Sequence, residues 1–140
     1  MRVVFDTNVL VAAARSQKGA SFALIRMLPS DKFQISISNA LYFGYLDVLL
    51  RPEIKPPGDD AEMIAAIDAI TESAFHQDIF FRWRPWLNDR GDDFVLELAI
   101  ASQSNFIVTF NINDFGKIGL FGIEAITPSD FLEFVRGRIE

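Results

Sequence analysis

The chain has 140 residues, half of them apolar, and carries thirteen Lys or Arg against nineteen Asp or Glu, a net charge of −6. This length supports a single compact domain, residues 1–140, and is too short for two full domains. The acidic balance excludes a general basic field for polyanions, so any nucleic-acid binding must be local. The absence of cysteine excludes disulfides and thiolate metal sites and fits a reducing compartment.

The sequence contains no recognisable targeting or membrane-spanning segment. The start MRVVFDTN lacks the basic head and long apolar run of a signal peptide. No later stretch approaches the roughly 18 apolar residues of a membrane span. We therefore expect a soluble, cytoplasmic protein. Fourteen phenylalanines are more than a small core usually requires, so we expect some of them in a subunit interface.

In chain order, the predicted elements alternate between strands and helices. The predicted strands are 2–5, 33–37, 106–109 and 123–126, and the predicted helices are 9–15, 20–28, 39–50, 59–74, 94–102 and a last one capped by Thr127. Residues 52–60 form the only linker-like stretch, and residues 75–83 are ambiguous. This alternation predicts an α/β fold with a parallel sheet and helices on both faces. Ligands bind beyond the carboxyl ends of the strands in such sheets.

Acidic and amide side chains follow two of the predicted strands. Asp6 comes directly after the first strand, and Asn111 and Asp114 follow the strand 106–109. Asp93 begins the crossover helix that descends before that strand, so all of these residues can meet at one edge of the sheet. Three neighbouring carboxylates repel one another unless a cation lies between them. Mg²⁺ or Mn²⁺ satisfies oxygen ligands of this kind and supports metal-assisted phosphodiester hydrolysis.

Each of these residues also has a purely structural interpretation. Asp6 and Asp93 each precede a helical run, where aspartate is a common N-cap. Asn111 and Asp114 can make a turn, since both residue types bond their own backbone. Glu97 lies one helical turn after Asp93, but an exposed, salt-bridging glutamate is the safer interpretation.

Other catalytic chemistries find little support in the sequence. His76 is the only histidine, whereas zinc and serine-hydrolase sites normally need more. Phosphate-binding loops rich in glycine are missing. The arginines and tryptophans of the segment 82–90 can contact a phosphate backbone and stack bases, or simply pack on the surface. A phosphatase-like or receiver-like domain is disfavoured because position 8 is asparagine and the only late lysine is Lys117.

With these residues in view, the chain resembles the PIN-domain family, in particular the prokaryotic branch of toxin components of toxin–antitoxin systems. The resemblance covers nearly the whole length and rests on five stretches in order: VVFDTNVLVAA, YLDVLLRPE, WRPWLNDRGDDFVLELAIAS, FIVTFNINDF and GIEAITPSDFLEFV. It implies a three-layer α/β/α sandwich with a mainly parallel sheet. It also implies a Mg²⁺- or Mn²⁺-dependent endoribonuclease that cleaves RNA phosphodiesters with a metal-activated water, an antitoxin partner and a homodimer.

The same resemblance implies roles for individual residues. Asp6, Asp93 and Asp114 are the catalytic acids that hold Mg²⁺ or Mn²⁺, with Asn111 as a neutral ligand where many relatives carry aspartate. Asn8 is a polar side chain beside the first carboxylate that assists in binding.

One expected ligand of the family is absent. Relatives usually have a glutamate directly before the tyrosine of the helix 39–50, whereas this chain has Gly44 before Tyr45. Asp47, three residues on, is not a clear replacement. Two hypotheses follow from this departure. The first is a metal-dependent ribonuclease whose activity the missing ligand weakens or abolishes. The second is a catalytically inactive PIN-like module that binds RNA or protein.

Overall fold

The computed structural model of the chain describes residues 1–54, 60–79, 90–116 and 118–137, and in 90–93 and at 120 it describes the backbone alone. A parallel sheet of five strands, in the spatial order β3-β2-β1-β4-β5, forms its centre. The strands are β1 (Arg2–Phe5), β2 (Gln34–Ile37), β3 (Phe75–His76), β4 (Phe106–Val108) and β5 (Glu124–Ile126). The described residues form six α-helices around the sheet: α1 (Thr7–Arg15), α2 (Ala20–Arg26), α3 (Asn39–Leu49), α4 (Asp60–Thr71), α5 (Arg90–Ala101) and α6 (Pro128–Gly137).

The central strand β1 shows why helices cover both faces of the sheet. Val3, Val4 and Phe5 point alternately to opposite faces, yet all three are completely buried. On one face Phe33, which precedes β2, lies between Phe5 and the α6 residue Phe131, with ring centroids 6.1 and 5.3 Å away. The helix α5 packs against β1, β2 and β4. The predicted three-layer α/β sandwich with a parallel sheet is confirmed.

Register places the end of β1 beside the end of β4. Phe5 pairs with Val108, so Asp6 and Thr109 are the next residues on neighbouring parallel strands. On the other side of β1, Val3 pairs with Ile35, and the same register brings Ser38 opposite Asp6. The carboxyl edge of the sheet therefore carries a row of polar residues directly after the buried strands.

Several predicted boundaries differ from the structure. α1 begins at Thr7 rather than residue 9, and α5 begins at Arg90 rather than residue 94. The ambiguous stretch 75–83 contains the short strand β3, and its residues 80–83 lie outside the described parts of the chain. The segment after β4, predicted as a turn, is a 3₁₀-helix (Ile112–Phe115) followed by a second one (Ile118–Phe121).

Two further predictions concern residues that the structure does not fully describe. The linker prediction for 52–60 falls partly on residues 55–59, and the Arg- and Trp-containing segment falls on residues 82–89, which the structure does not describe. Among the helices that it does describe, none combines the length and hydropathy needed to cross a membrane.

Candidate metal centre at the carboxyl edge of the sheet

Asp6 lies at the junction of β1 and α1 and is 8% exposed. Its backbone N–H donates to the carbonyl of Val108 at 3.0 Å, which continues the pairing of β1 with β4 by one residue. Its carboxylate Oδ1 accepts a hydrogen bond from the backbone N–H of Thr7 at 2.8 Å. Asp6 is thus the N-cap of α1, as the structural interpretation predicted, and the cap fixes its carboxylate at the strand end.

Thr109 holds the second oxygen of the same carboxylate. Its hydroxyl, completely buried, donates to Asp6 Oδ2 at 2.8 Å and accepts from the backbone N–H of Asn111 at 3.0 Å. The residue therefore couples the end of β1 to the loop after β4. Sequence reasoning missed Thr109, which it placed as the last residue of the predicted strand 106–109, because no sequence pattern gives the register that sets Thr109 beside Asp6.

Asn8 completes this network from the first turn of α1. Its amide nitrogen donates to Asp6 Oδ2 and to Thr109 Oγ1, both at 3.4 Å. Its amide oxygen accepts from the backbone N–H of Phe110, also at 3.4 Å. The structure therefore brings Asn8 beside Asp6, where the family resemblance had placed a polar side chain.

Asn111 and Asp114 lie on the segment that continues from Thr109. Asn111 is the residue before the 3₁₀-helix Ile112–Phe115, and its carbonyl accepts from the N–H of Asp114 at 3.0 Å. Both side chains are exposed to solvent. The residues thus make a local backbone turn, and the backbone N–H of Asn111 joins this turn to the Asp6 network through the Thr109 hydroxyl.

The backbone of Asp93 reaches the same level of the sheet. Arg2, at the start of β1, donates to the carbonyl of Ser102 just after α5 at 3.0 Å, so α5 ends at the amino edge. From Ser102 back to Asp93 the helix rises about 13 Å, and from Arg2 to Asp6 the strand also rises about 13 Å. The N-cap interpretation of Asp93 is wrong, because α5 begins at Arg90. Its side chain lies outside the described atoms.

Glu97 contradicts its sequence-based interpretation. The prediction was an exposed, salt-bridging residue, but the side chain is only 2% exposed. The whole stretch 95–99 of α5 is buried, because α5 packs on the sheet and also against α3. A one-turn spacing identifies the helix face that Glu97 shares with Asp93, but it cannot say whether that face meets solvent.

The helix α3 approaches the site through Tyr45. This tyrosine is buried, and its hydroxyl donates to the carbonyl of Phe5 at 2.5 Å, one residue before Asp6. Burial, with the nearby Asp6 carboxylate as a second cause, raises the pKa of Tyr45 far above its ordinary value, so the hydroxyl remains a donor. Gly44 precedes it, and a Cβ built there would meet nothing within 4 Å. The position of the missing family glutamate therefore has room for a side chain.

The described side chains offer the kinds of ligand atom that a hard divalent cation prefers. They are carboxylate, amide and hydroxyl oxygens, the ligand types that Mg²⁺ and Mn²⁺ prefer. Among the side chains that the structure describes, no three Asp, Glu or His residues cluster closely enough to hold a metal ion. The described carboxylates alone thus do not make the expected three-acid site, and the side chain of Asp93 is not among them.

Comparison with known proteins agrees with this fold. A chain of the crystal structure of VapBC2 from Rickettsia felis bound to a promoter DNA fragment is similar to this chain with a TM-score of 0.64 and 15% identity, covering 91% of this chain and 98% of that one. A chain of VapBC-1 from nontypeable Haemophilus influenzae matches with a TM-score of 0.61 and 14% identity, covering 92% and 99%. A search of curated protein sequences gives no significant match. A family model described as PIN domain matches residues 2–113, and the chain therefore belongs to the PIN-domain family.

Proposed function

We propose that this protein is a divalent-metal-dependent endoribonuclease and the toxin of a toxin–antitoxin pair. The observation that carries the proposal is the Asp6 carboxylate, held at the carboxyl edge by the Thr109 hydroxyl and the Thr7 N–H. The PIN-domain family and the likeness to VapBC structures support it.

In this proposal Asp6, Asp93 and Asp114 hold Mg²⁺ or Mn²⁺, and Asn111 is a neutral ligand. A bound ion of this type neutralises the carboxylates and polarises a phosphoryl oxygen of the substrate. Three neutral donors, from Thr7, Thr109 and Asn8, orient the Asp6 oxygens. Asn8, whose amide nitrogen lies 3.4 Å from Asp6 Oδ2, contacts the substrate in this proposal.

The partners in this proposal follow from the same surface. Single-stranded RNA is the substrate, and an antitoxin covers the acidic edge, where an arginine can pair with the carboxylates. Exposed aromatic side chains such as Phe43 and Phe134 favour a homodimer, since aromatic residues are enriched in interfaces.

A cleavage assay with Mn²⁺ and single-stranded RNA tests the proposal. Asp6→Asn keeps a capping side chain but removes the anion, so we expect at least a hundredfold loss of cleavage with little loss of stability. The matched control is Asp31→Asn, the same change at an exposed residue beside the amino edge of the sheet, which should leave cleavage unchanged. Equal cleavage by the wild type and Asp6→Asn would overturn the proposal.

A second candidate function is an inactive PIN-like module that binds RNA or a protein. Gly44 favours it, because glycine supplies no oxygen where relatives carry glutamate. The open space around Gly44 allows a direct test with Gly44→Glu, and Gly44→Gln is the control that adds a side chain without a charge. If only Gly44→Glu cleaves RNA while the wild type does not, the second function is correct.

A further inference from the structure

A cavity opens at the same edge of the sheet as Asp6. It has a volume of about 720 Å³ and lies between α3, α4 and the carboxyl ends of β2 and β3. Ser38, which lines it, is level with Asp6 on the neighbouring strand. Adjacent strands are roughly 5 Å apart, so the cavity begins about one strand away from the candidate metal centre. We call it the edge pocket.

Part of the lining of the edge pocket is apolar, and it includes a positioned aromatic ring. Ile37 and the two alanines Ala65 and Ala69 contribute aliphatic surface, and Tyr42 contributes its ring. The Tyr42 hydroxyl donates to the Asp68 carboxylate, which fixes the ring relative to α4. That hydrogen bond raises the pKa of Tyr42, so the hydroxyl keeps its proton at neutral pH. Surfaces of this kind accept the flat face of a nucleobase.

The polar groups of the edge pocket select against phosphate and for hydrogen-bond donors. Asp68, in the last turn of α4, and Glu72, the residue directly after that helix, both line the cavity, so together they repel an anion. Asp68 is already engaged by Tyr42. Glu72 is exposed and forms no hydrogen bond or ion pair with any residue in the described ranges. Its two oxygens can therefore accept a pair of hydrogen bonds from a ligand.

Guanine is the nucleobase whose donors match a carboxylate best. Its Watson–Crick edge presents two adjacent donors, N1–H and the 2-amino group, whereas adenine and cytosine present one amino group each beside an acceptor nitrogen. Asn39 and His76, which also line the cavity, can donate to the guanine O6 and N7. We propose that the edge pocket binds the guanine base of an RNA nucleotide next to the cleaved phosphodiester, with Glu72 accepting from N1–H and the 2-amino group.

This inference rests on the proposed function for its substrate class. A protein partner could also place an arginine against Asp68 and Glu72, since guanidinium is a common partner of carboxylates. The apolar lining and the continuity of the edge pocket with the Asp6 edge favour a base, because a substrate strand at Asp6 passes the pocket within one strand spacing.

Binding of short RNAs, measured by fluorescence anisotropy in EDTA, tests the inference without metal or cleavage. The probes are a uridine octamer with one guanosine, the same octamer with inosine, which lacks the 2-amino group, and the plain octamer. We expect the wild type to bind the guanosine probe about tenfold more tightly than the inosine probe. Glu72→Gln should lose this preference, while Glu133→Gln, an equal charge change at an exposed residue of α6, should keep it.

Several results would overturn the inference. They are equal binding of the guanosine and inosine probes by the wild type, or an unchanged preference in Glu72→Gln of normal thermal stability. A competition experiment distinguishes a bound base from a bound arginine side chain. Guanosine 5′-monophosphate should displace the guanosine probe at a lower concentration than N-acetylarginine amide does. The reverse order would assign the pocket to an arginine. Cleavage by the wild type without a guanosine preference would leave the proposed function standing and remove only this inference.

Discussion

The two edges of the sheet both carry polar side chains and a cavity of similar size, but the charged groups of the two cavities differ. At the carboxyl edge a cavity of about 720 Å³ lies beside Asp68 and Glu72, with Asp6 on the next strand. At the amino edge a cavity of about 680 Å³ is lined by the cation Arg2 and the carboxylate Asp31. The Arg2 guanidinium lies 3.7 Å from the centroid of the Phe75 ring and donates to the carbonyl of Ser102.

The polarity of the chain explains this difference. Helices α1, α3 and α6 begin at the carboxyl edge, where Asp6, Ser38 and Thr127 accept from backbone N–H groups of their first turns. Such helix starts favour anions and oxygen acceptors. The helix α5 ends at the amino edge, where the carbonyl that follows it accepts from a cation. The volume of a cavity therefore says little about its chemistry, and the direction of the elements around it says much more.

The largest expected effect on the stability of the protein comes from Thr109→Val at the carboxyl edge. This change keeps the shape of the side chain but leaves Asp6 Oδ2 and the N–H of Asn111 without the buried hydroxyl. We expect the free energy of unfolding in urea to fall by about 1–3 kcal/mol. We also expect Mn²⁺ to raise the melting temperature less than it does in the wild type.

Thr127→Val is the matched control for the metal response. It removes a hydroxyl from the end of a neighbouring strand, where Thr127 accepts from the N–H of Asp130 at 3.2 Å. We expect a loss of about 1 kcal/mol in stability with an unchanged response to Mn²⁺. If both variants keep the full response to Mn²⁺, Thr109 does not position Asp6 for a metal.

The amino edge should respond differently, which Arg2→Met tests. The variant keeps an apolar stem but removes the hydrogen bond to Ser102 and the cation–π contact with Phe75. We expect the free energy of unfolding to fall by about 1 kcal/mol. Mn²⁺ should raise the melting temperature of this variant by as much as it does in the wild type. A different rise would contradict the view that only the carboxyl edge binds the metal.

The smallest effect is expected for Asp47→Asn on α3, eight residues beyond the start of that helix. Asp47 pairs with Arg51 at 3.0 Å, but the Asp47 side chain is 72% exposed. We expect a change in unfolding free energy of less than about 0.5 kcal/mol, because solvent screens such pairs. Cleavage of RNA should also stay at the wild-type rate. A large loss of cleavage would instead make Asp47 the replacement for the glutamate that is missing at Gly44.

Parts of the candidate site were predictable because they depend on local chemistry. An aspartate at the end of a buried run and before a helical one is positioned by the strand and the cap together, and Asp6 is both. The position of Asn8 was also predictable, because it lies two residues after Asp6, in the first turn of the helix. The register of β1 with β4 could not be read from the sequence, so Thr109, which binds Asp6 from the other strand, was missed.

Burial was the other property that local patterns could not supply. Glu97 has the spacing of a residue on a polar helix face, but α5 is covered by the sheet and by α3. The pairing of Tyr45 with the Phe5 carbonyl likewise joins residues 40 positions apart. Both depend on how α3 and α5 pack beside β1.

The sequence by itself determined the alternation of strands and helices, the family and the acids that follow the strands, because periodicity and caps act over a few residues. Tertiary structure alone decided which polar groups meet. The strand order β3-β2-β1-β4-β5 brings Asp6 against Thr109 on one side and Ser38 on the other, and it thereby sets the edge pocket beside the candidate metal centre. Such neighbours come from pairing between distant segments, which no local pattern encodes.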